Sequence, residues 1–236
     1  EKLPTYNVFY EARTFSRGVP GQRDEVDGLS FGDLVFEAEF GTFAVEVCED
    51  VWSPDGPQRR RCYAGAELMV NVSASPFRLG VMGTRREMLA TRSGDNQCTL
   101  AYVNAVGAND GLIFDGGGFV FQNGRGLLEA RRWVQGWSDT VVDLDRTQRL
   151  RTENTTWRTD CVEATQRAVR PSTVKLPGAC ADRASLPYPF PAHRSFFLPS
   201  PEAPRDRREE FCEDLLDALA LGVGDYLEKT RAFKGI

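Results

Sequence analysis

Histidine is almost absent from this sequence of 236 residues, which contains only His193, in a proline-rich stretch. This scarcity argues against Ser-His-Asp and Cys-His mechanisms and against histidine-based zinc sites, so a nucleophile here must be activated without imidazole. The 6 cysteines form no CxxC pair and are irregularly spaced. We therefore expect reduced thiols, a cytoplasmic protein and no metal site.

Long apolar runs and basic stripes are also missing. No stretch approaches the roughly 20 apolar residues of a membrane helix, and the first residues lack a signal-peptide pattern. The net charge is −5 and the pI about 5.1, so neither a nucleic acid nor a membrane is expected as a partner. The run Arg59, Arg60 and Arg61 after Pro57 predicts a solvated loop.

The pattern of apolar residues predicts an α/β layered domain. Residues 34–48 alternate apolar and polar side chains around Gly41 and Thr42, which is typical of a hairpin. Further strands are predicted at 67–73, 99–106 and 141–144, and a helix at 84–96. Residues 112–114 and 118–122 predict a second hairpin, with Asp115-Gly116-Gly117 as its turn. We interpret the cluster Gly116-Gly117-Gly118 as that turn and not as a phosphate-binding loop.

The last third of the chain changes character. Residues 171–204 contain most of the prolines, which predicts a linker or an extended arm. Residues 205–230 then predict a helix. Its apolar residues recur at every fourth position, and we expect this stripe to pack against a core: Phe211, Leu215, Leu219, Val223 and Leu227.

Cys48 is the strongest candidate for chemistry. It ends the second arm of the first predicted hairpin, where a cysteine is often only a small buried hydrophobic residue. The acidic residues that follow it, Glu49 and Asp50, are unusual beside a core residue. A nucleophilic thiol needs a base or a nearby cation, and without a useful histidine these must be a carboxylate and a lysine or arginine.

The string Cys48-Glu49-Asp50-x-Trp52-x-Pro54 resembles the nucleophile motif of the glutaminase domain of NAD⁺ synthetases, a branch of the nitrilase superfamily. Four further strings resemble that family in the same order along the chain: Leu3-Pro4-Thr5-Tyr6-x-x-Phe9-x-Glu11, Asn71-x-Ser73-Ala74-Ser75-Pro76-Phe77, Tyr102-Val103-Asn104 and Phe114-Asp115-Gly116. The helix predicted at 205–230 resembles the one that leads into the synthetase domain, so the resemblance covers nearly the whole chain.

The resemblance implies an α/β fold, a partial nitrilase-type α-β-β-α sandwich followed by a proline-rich linker and the first helix of a synthetase domain. Residues 1–160 would be the C-terminal part of the glutaminase domain. Residues 161–204 would be the linker arm, and residues 205–236 the start of the synthetase domain, of the ATP pyrophosphatase type.

It also implies an activity and a set of site residues. Cys48 would attack the side-chain amide of glutamine, and the released ammonia would convert nicotinic acid adenine dinucleotide to NAD⁺ at the expense of ATP. Tyr6, Glu49 and Ser75 match positions that line the glutamine pocket, and Glu11 matches a glutamate that orients the catalytic lysine. No cofactor is expected in this chain. ATP and Mg²⁺ are expected in the full-length synthetase domain, and the family resemblance implies a homo-oligomer.

Three departures from the family pattern matter. The family's catalytic lysine would fall immediately before Glu1, so Lys2 is interpreted as an exposed bystander. The general-base glutamate would lie further upstream, and the basic residue after the Ser-Pro turn is replaced by Val81. Arg78, Arg85 or Arg86 could supply that charge.

The chain also stops one strand before the expected Ser-Gly-Gly-x-Asp-Ser loop. We therefore expect the chain alone to lack glutaminase activity and to associate through uncovered apolar surface. Two rival interpretations remain: a stand-alone nitrilase-superfamily amidase or carbamoylase, and a non-catalytic scaffold relic.

Overall fold

The computed structural model describes residues 2–4, 10–178, 182–187 and 207–231. The strands are β1 (Arg23–Val26), β2 (Leu29–Gly32), β3 (Leu34–Ala38), β4 (Gly41–Val47), β5 (Leu68–Ser73), β6 (Thr99–Asn104), β7 (Val106–Asn109), β8 (Leu112–Gln122), β9 (Arg125–Arg132) and β10 (Ser172–Lys175). The helices are α1 (Glu49–Trp52), α2 (Pro57–Tyr63), α3 (Val81–Asp95), α4 (Leu144–Glu153), α5 (Thr155–Arg167) and α6 (Arg207–Thr230), with single 3-10 turns at Glu11–Arg13 and Arg183–Ser185.

One mixed sheet organises the described residues, in the order β10-β3-β4-β5-β6-β8-β7, with β9 paired to β8. β4, β5 and β6 run parallel to one another, so their carboxyl ends meet at one edge of the sheet. In α/β sheets, ligands bind at that edge. β1 and β2 form a separate exposed hairpin.

The face of this sheet that carries the core is covered by α1, α2, α3 and α5. Because side chains alternate along a strand, the inward residues of β4, β5 and β6 are Ala44, Met69 and Leu100, each 0% exposed. Trp157 of α5 closes the cluster at one end, against Tyr63. The α/β architecture predicted from the alternation of elements is therefore confirmed.

The opposite face of the same strands is apolar and open in the described part of the chain. Val47, Val72 and Val103 lie side by side across β4, β5 and β6, and they are 48, 49 and 51% exposed. Contiguous apolar surface of this kind drives association in water.

Lysine at both Val72 and Val103 is expected to shift the isolated chain from associated species toward monomer, because two charges interrupt the apolar patch. Size-exclusion chromatography measures this shift. Lysine at Val162, which is 57% exposed on α5, is the matched control. A clean monomer peak for the unsubstituted chain would contradict the expectation.

The glycine cluster is where the predicted second hairpin is wrong. β8 runs without interruption through Gly116, Gly117 and Gly118. Its first half pairs with β7 and its second half lies between β6 and β9. Gly116 and Gly117 have φ of +67° and +77°, and a side chain at Gly116 would come within 2.9 Å of Val106. The glycines therefore bend one strand between two partners, which local sequence does not distinguish from a turn.

Two other local predictions fail. Arg59, Arg60 and Arg61 lie in α2 and not in a loop. Arg61 is buried, and Asp33 accepts hydrogen bonds from both Arg60, at 2.7 Å, and Arg61, at 3.2 Å. Residues 141–144 form no strand, because Asp143 accepts a hydrogen bond from the Arg146 N–H and so caps α4.

The structure describes only parts of the predicted arm, and the predicted domain boundaries stay predictions. β10 lies within residues 161–204 and adds a parallel edge strand beside β3, and α5 runs through position 160. α6 docks by a face different from the predicted stripe: Asp214 and Ala218 are buried, whereas Phe211, Leu215, Leu219 and Val223 are 40 to 55% exposed. Asp225 of this helix accepts a hydrogen bond from the Ala108 N–H at 2.6 Å.

Candidate active site

Cys48 occupies a sharp turn between β4 and α1. Its N–H donates to the Val72 carbonyl at 3.0 Å, which fixes it to the neighbouring strand. Its φ and ψ are +41° and −98°, a conformation that non-glycine residues rarely adopt. Such a conformation costs about 1 to 3 kcal/mol and persists where the surrounding structure enforces it, often at functional sites.

The sulfur of Cys48 lies in a half-buried pocket at the carboxyl ends of β4 and β5. Burial raises the pKa of the Cys48 thiol above its ordinary value. The Ala74 N–H and the Ser73 hydroxyl, hydrogen-bonded to the sulfur, act in the opposite direction, and the carboxylates of Glu49 and Glu11 add to the rise. The thiol is therefore protonated at neutral pH, and a base or a cation must approach it before it can attack a carbon.

The structure places two of the sequence-predicted site residues, Glu11 and Glu49, within electrostatic reach of this sulfur. Glu11 is the first residue of the 3-10 turn Glu11–Arg13. Its carboxylate and that of Glu49 both raise the pKa of the Cys48 thiol through charge repulsion. Ser75 follows Ala74 and is buried. Tyr6 lies outside the described residues. These assignments as glutamine-contacting or lysine-orienting residues stay predictions.

Lys2, near the start of the chain, contacts two aspartates. Its ammonium lies 3.9 Å from the exposed carboxylate of Asp55, and its backbone N–H donates to Asp50 at 2.6 Å. Its side chain is only 21% exposed, so Lys2 is less exposed than predicted, and its role as a bystander stays a prediction. Among the three arginines considered as substitutes for the basic group missing at Val81, Arg85 is buried in an ion pair and Arg86 pairs with Glu129, which leaves the exposed Arg78 as the candidate.

Ser75 is held by a buried network that the sequence analysis did not assign. Asn104 accepts a hydrogen bond from the Ser75 N–H at 2.8 Å and donates one to the Ser75 carbonyl at 3.1 Å. Arg85 donates to the same carbonyl at 3.1 Å and to Asp115 at 2.6 Å. Two residues of the quoted motifs, Asn104 and Asp115, therefore shape the turn after β5 instead of touching the thiol.

This network reaches α6. Asp115 is fully buried and also accepts a hydrogen bond from Arg132 at 3.1 Å, and Arg132 donates in turn to Asp214 of α6 at 2.8 Å. The guanidinium carbon of Arg132 lies 4.8 Å from the centroid of the Trp133 ring. The last helix is thus connected by charged hydrogen bonds to the turn that carries Ser75.

Glu46 is a buried titratable group on the strand that leads to the nucleophile. Burial raises its pKa from 4.5 to about 8, and the carboxylate of Asp50 adds to the rise, while Asn71, Arg61 and Arg92 act in the opposite direction. Sequence alternation places Glu46 on the same strand face as Ala44. This position would have identified it as buried, although nothing in the local sequence shows what it contacts.

Because the pKa of Glu46 is raised in the folded chain, we expect the free energy of unfolding to depend on pH. The folded chain keeps this proton up to about pH 8, whereas the unfolded chain loses it near pH 4.5. The contribution of Glu46 to the free energy of unfolding is therefore fully present below about pH 4.5 and is lost as the pH rises through about 8. The free energy of unfolding falls by at most about 1.4 kcal/mol per pH unit over this range. Urea unfolding at several pH values measures the slope of the free energy of unfolding against pH. Glu46→Gln should flatten it, and an unchanged slope would contradict this account.

A cavity of about 840 Å³ lies beside the carboxyl-terminal half of β4, and its lining includes Glu46, Asp50, Arg60 and Arg61. Cys48 is not among its lining residues. The catalytic chemistry is therefore assigned to the surroundings of the Cys48 sulfur and not to this cavity. Across the described residues, no cluster of three histidine, cysteine or acidic side chains could hold a metal ion, and no helix there combines the length and apolar character that crossing a bilayer needs.

Comparison with solved structures defines the class of fold. The chain superposes on a carbon-nitrogen hydrolase from Helicobacter pylori with a TM-score of 0.52 and 21% identity, over 70% of this chain and 59% of that protein. It superposes over its whole length on 32% of a glutamine-dependent NAD⁺ synthetase from Acinetobacter baumannii, solved with ADP, with a TM-score of 0.60 and 21% identity. The fold is that of the carbon-nitrogen hydrolases, as the nitrilase-type prediction expected.

Sequence comparison narrows this class. No protein-family model matches the chain. It is 32% identical over 233 residues to the glutamine-dependent NAD⁺ synthetase of Aquifex aeolicus, and 37% identical over 164 residues to that of Mycobacterium bovis. These matches cover 96% and 64% of this chain but only 35% and 23% of the relatives. The chain is thus homologous to a segment of the glutamine-dependent NAD⁺ synthetases and spans about a third of the Aquifex protein, which confirms the resemblance drawn from Cys48 and the motifs around it.

Proposed function

We propose that this chain supplies the glutamine-hydrolysing site of a glutamine-dependent NAD⁺ synthetase. The observation that carries the proposal is the strained backbone of Cys48 at the carboxyl ends of parallel strands, with Ser73 and Ala74 of the neighbouring strand end beside its thiol. The homology to synthetases named as glutamine-dependent supports it.

The reaction follows from the chemistry of a thiol and an amide. A base removes the Cys48 proton, and the sulfur attacks the side-chain carbonyl carbon of glutamine. The tetrahedral oxyanion is held by preorganised donors, among which we propose the Glu49 N–H and a lysine ammonium. The protonated base then gives its proton to the leaving amine. Ammonia departs, a glutamyl thioester remains, and water releases glutamate and restores the thiol.

The remaining assignments belong to the same proposal. Tyr6, Glu49 and Ser75 line the glutamine pocket, and Glu11 orients the lysine. Ammonia is used elsewhere in the protein for the ATP-dependent amidation of nicotinic acid adenine dinucleotide to NAD⁺. We assign ATP and Mg²⁺ to that second site, as the family resemblance implies. The homo-oligomer and the cytoplasmic location stay predictions.

A diazoketone analogue of glutamine tests the proposal in the protein that carries this chain. The analogue should alkylate Cys48, and glutamine should protect the thiol while asparagine and acetamide do not. Peptide mass spectrometry separates Cys48 from the buried Cys62 and Cys98 and from the exposed Cys212. Equal protection by acetamide would favour a stand-alone amidase, and labelling of Cys212 alone would favour a scaffold without catalysis.

A further inference from the structure

Three buried polar side chains lie behind Cys48 on the helix-covered face of the sheet. Glu46 of β4 pairs directly across from Asn71 of β5, and Ser73 is two residues further along the same strand. Their exposed fractions are 1, 0 and 6%. Buried polar groups cost free energy unless they are hydrogen-bonded, and apolar side chains would fill these positions at lower cost. Their presence beside the nucleophile therefore calls for a role.

The three side chains form a continuous set of hydrogen bonds that ends at the nucleophile. Asn71 Nδ2 donates to Glu46 Oε1 at 3.3 Å and to the Cys48 carbonyl at 3.4 Å. The Ser73 hydroxyl donates to Asn71 Oδ1 at 2.7 Å, and the same hydroxyl lies against the Cys48 sulfur. Asn71 therefore contacts both the strained backbone of Cys48 and the Ser73 hydroxyl beside its thiol.

These contacts fix the orientation of the Asn71 amide. Its nitrogen faces two acceptors, and its oxygen faces a donor. A flipped amide would place its oxygen against the two acceptors and lose the bond from Ser73. Glu46 thus selects one orientation, and the other oxygen of its carboxyl group, Oε2, has no hydrogen-bond partner within the described residues.

We propose that Glu46 and Asn71 are positioning residues for the nucleophile: they support the strained backbone at Cys48 and hold the Ser73 hydroxyl ready to stabilise the thiolate. The inference deepens the proposed function and rests on it for its catalytic consequence. When the thiol proton leaves to the base, the Ser73 O–H turns from Asn71 Oδ1 to the sulfur anion. No proton passes through Asn71 or Glu46, so neither is a catalytic residue.

The pH profile of Cys48 alkylation by iodoacetamide tests the positioning role without requiring glutamine. Asn71→Asp replaces the donor with an anion near the thiol and should raise the midpoint by about one pH unit. Ser73→Ala removes the hydroxyl and should also raise it. Glu46→Leu removes the acceptor that holds the Asn71 amide. It should slow alkylation about threefold to tenfold at neutral pH, since the net contribution of one hydrogen bond is about 1 kcal/mol. Glu46→Gln, which keeps an oxygen acceptor, should restore most of the rate.

Gln58→Met is the matched control, because Gln58 is also buried and donates to the Cys98 sulfur at 3.4 Å, in another part of the core. It should leave the midpoint unchanged. In glutamine turnover, Asn71→Asp should lower kcat while KM for glutamine stays within about twofold, since the lost interaction belongs to the transition state.

Unchanged midpoints in both Asn71→Asp and Ser73→Ala would overturn the inference, as would an equal shift in Gln58→Met. If the midpoints shift as expected while the unsubstituted protein does not hydrolyse glutamine, the proposed function fails and the positioning of Cys48 stands.

Discussion

In the full-length protein that carries this chain, Cys48→Ala is expected to abolish the proposed glutamine-dependent NAD⁺ formation while leaving ammonia-dependent formation within about twofold. Alanine removes the sulfur that forms the thioester, and loss of a catalytic nucleophile commonly lowers kcat by about 10⁴-fold or more. Ammonia supplied in solution bypasses this step. NAD⁺ formation with each nitrogen donor, measured on the same preparation, gives the comparison.

The matched control is Cys212→Ala, because Cys212 is an exposed thiol on α6 and lies outside the pocket around Cys48. It should keep both activities. If Cys48→Ala also loses the ammonia-dependent activity, Cys48 is needed for the structure of the protein and not only for hydrolysis of the amide.

Arg85→Met is expected to lower the free energy of unfolding by about 3 to 5 kcal/mol, because it removes one partner of a buried ion pair. Arg85 and Asp115 are 1% and 0% exposed, and two hydrogen bonds of 2.6 and 2.7 Å join them. Without Arg85, the Asp115 carboxylate keeps Arg132 and Asn104 but remains buried with less compensation. The turn at Ser75 also loses a donor to its carbonyl.

The neighbouring Arg86 provides the control for this prediction. It pairs with Glu129 at 2.6 Å, but both side chains are well exposed, at 44% and 38%. Arg86→Met should therefore cost less than about 1 kcal/mol. Urea unfolding followed by circular dichroism measures both variants, and equal losses would show that burial of the Arg85 pair does not determine its contribution.

The sequence predicted those parts of the fold that local periodicity specifies. The antiparallel pair β3 and β4, the strands β5 and β6 and the helix α3 all lie where the apolar pattern indicated them. The turn at Cys48 was also found, because a strand pattern ended at a cysteine followed by acidic residues. The parallel pairing of β4 and β5 depends on distant contacts, yet it places Ala74 and Ser73 beside the sulfur.

The failures share one physical cause: the deciding contacts are remote in sequence. Gly116 and Gly117 bend a strand because β7 and β6 pair with different halves of it, and an isolated glycine run predicts a turn equally well. Arg61 is buried because Asp33, 28 positions earlier, accepts its hydrogen bond. α6 docks through Asp214 and Ala218, although its apolar stripe predicted another face.

The same limit applies to the site. Glu11 and Glu49 were proposed from a family resemblance, and the structure places both carboxylates within electrostatic reach of Cys48. Glu46 and Asn71 had no assigned role, because their importance depends on the register between β4 and β5. Alternation shows that such residues face inward, but only the pairing of strands shows that Glu46 and Asn71 meet behind the nucleophile.

The mass of the Cys48 peptide during glutamine turnover tests the central claim most directly. A rapid acid quench should trap a glutamyl thioester, which adds about 129 Da to the peptide. The gain should be absent in Cys48→Ala and should disappear once glutamine is exhausted. Continued release of ammonia from glutamine with an unmodified Cys48 peptide, or from the Cys48→Ala protein, would contradict a thioester at Cys48.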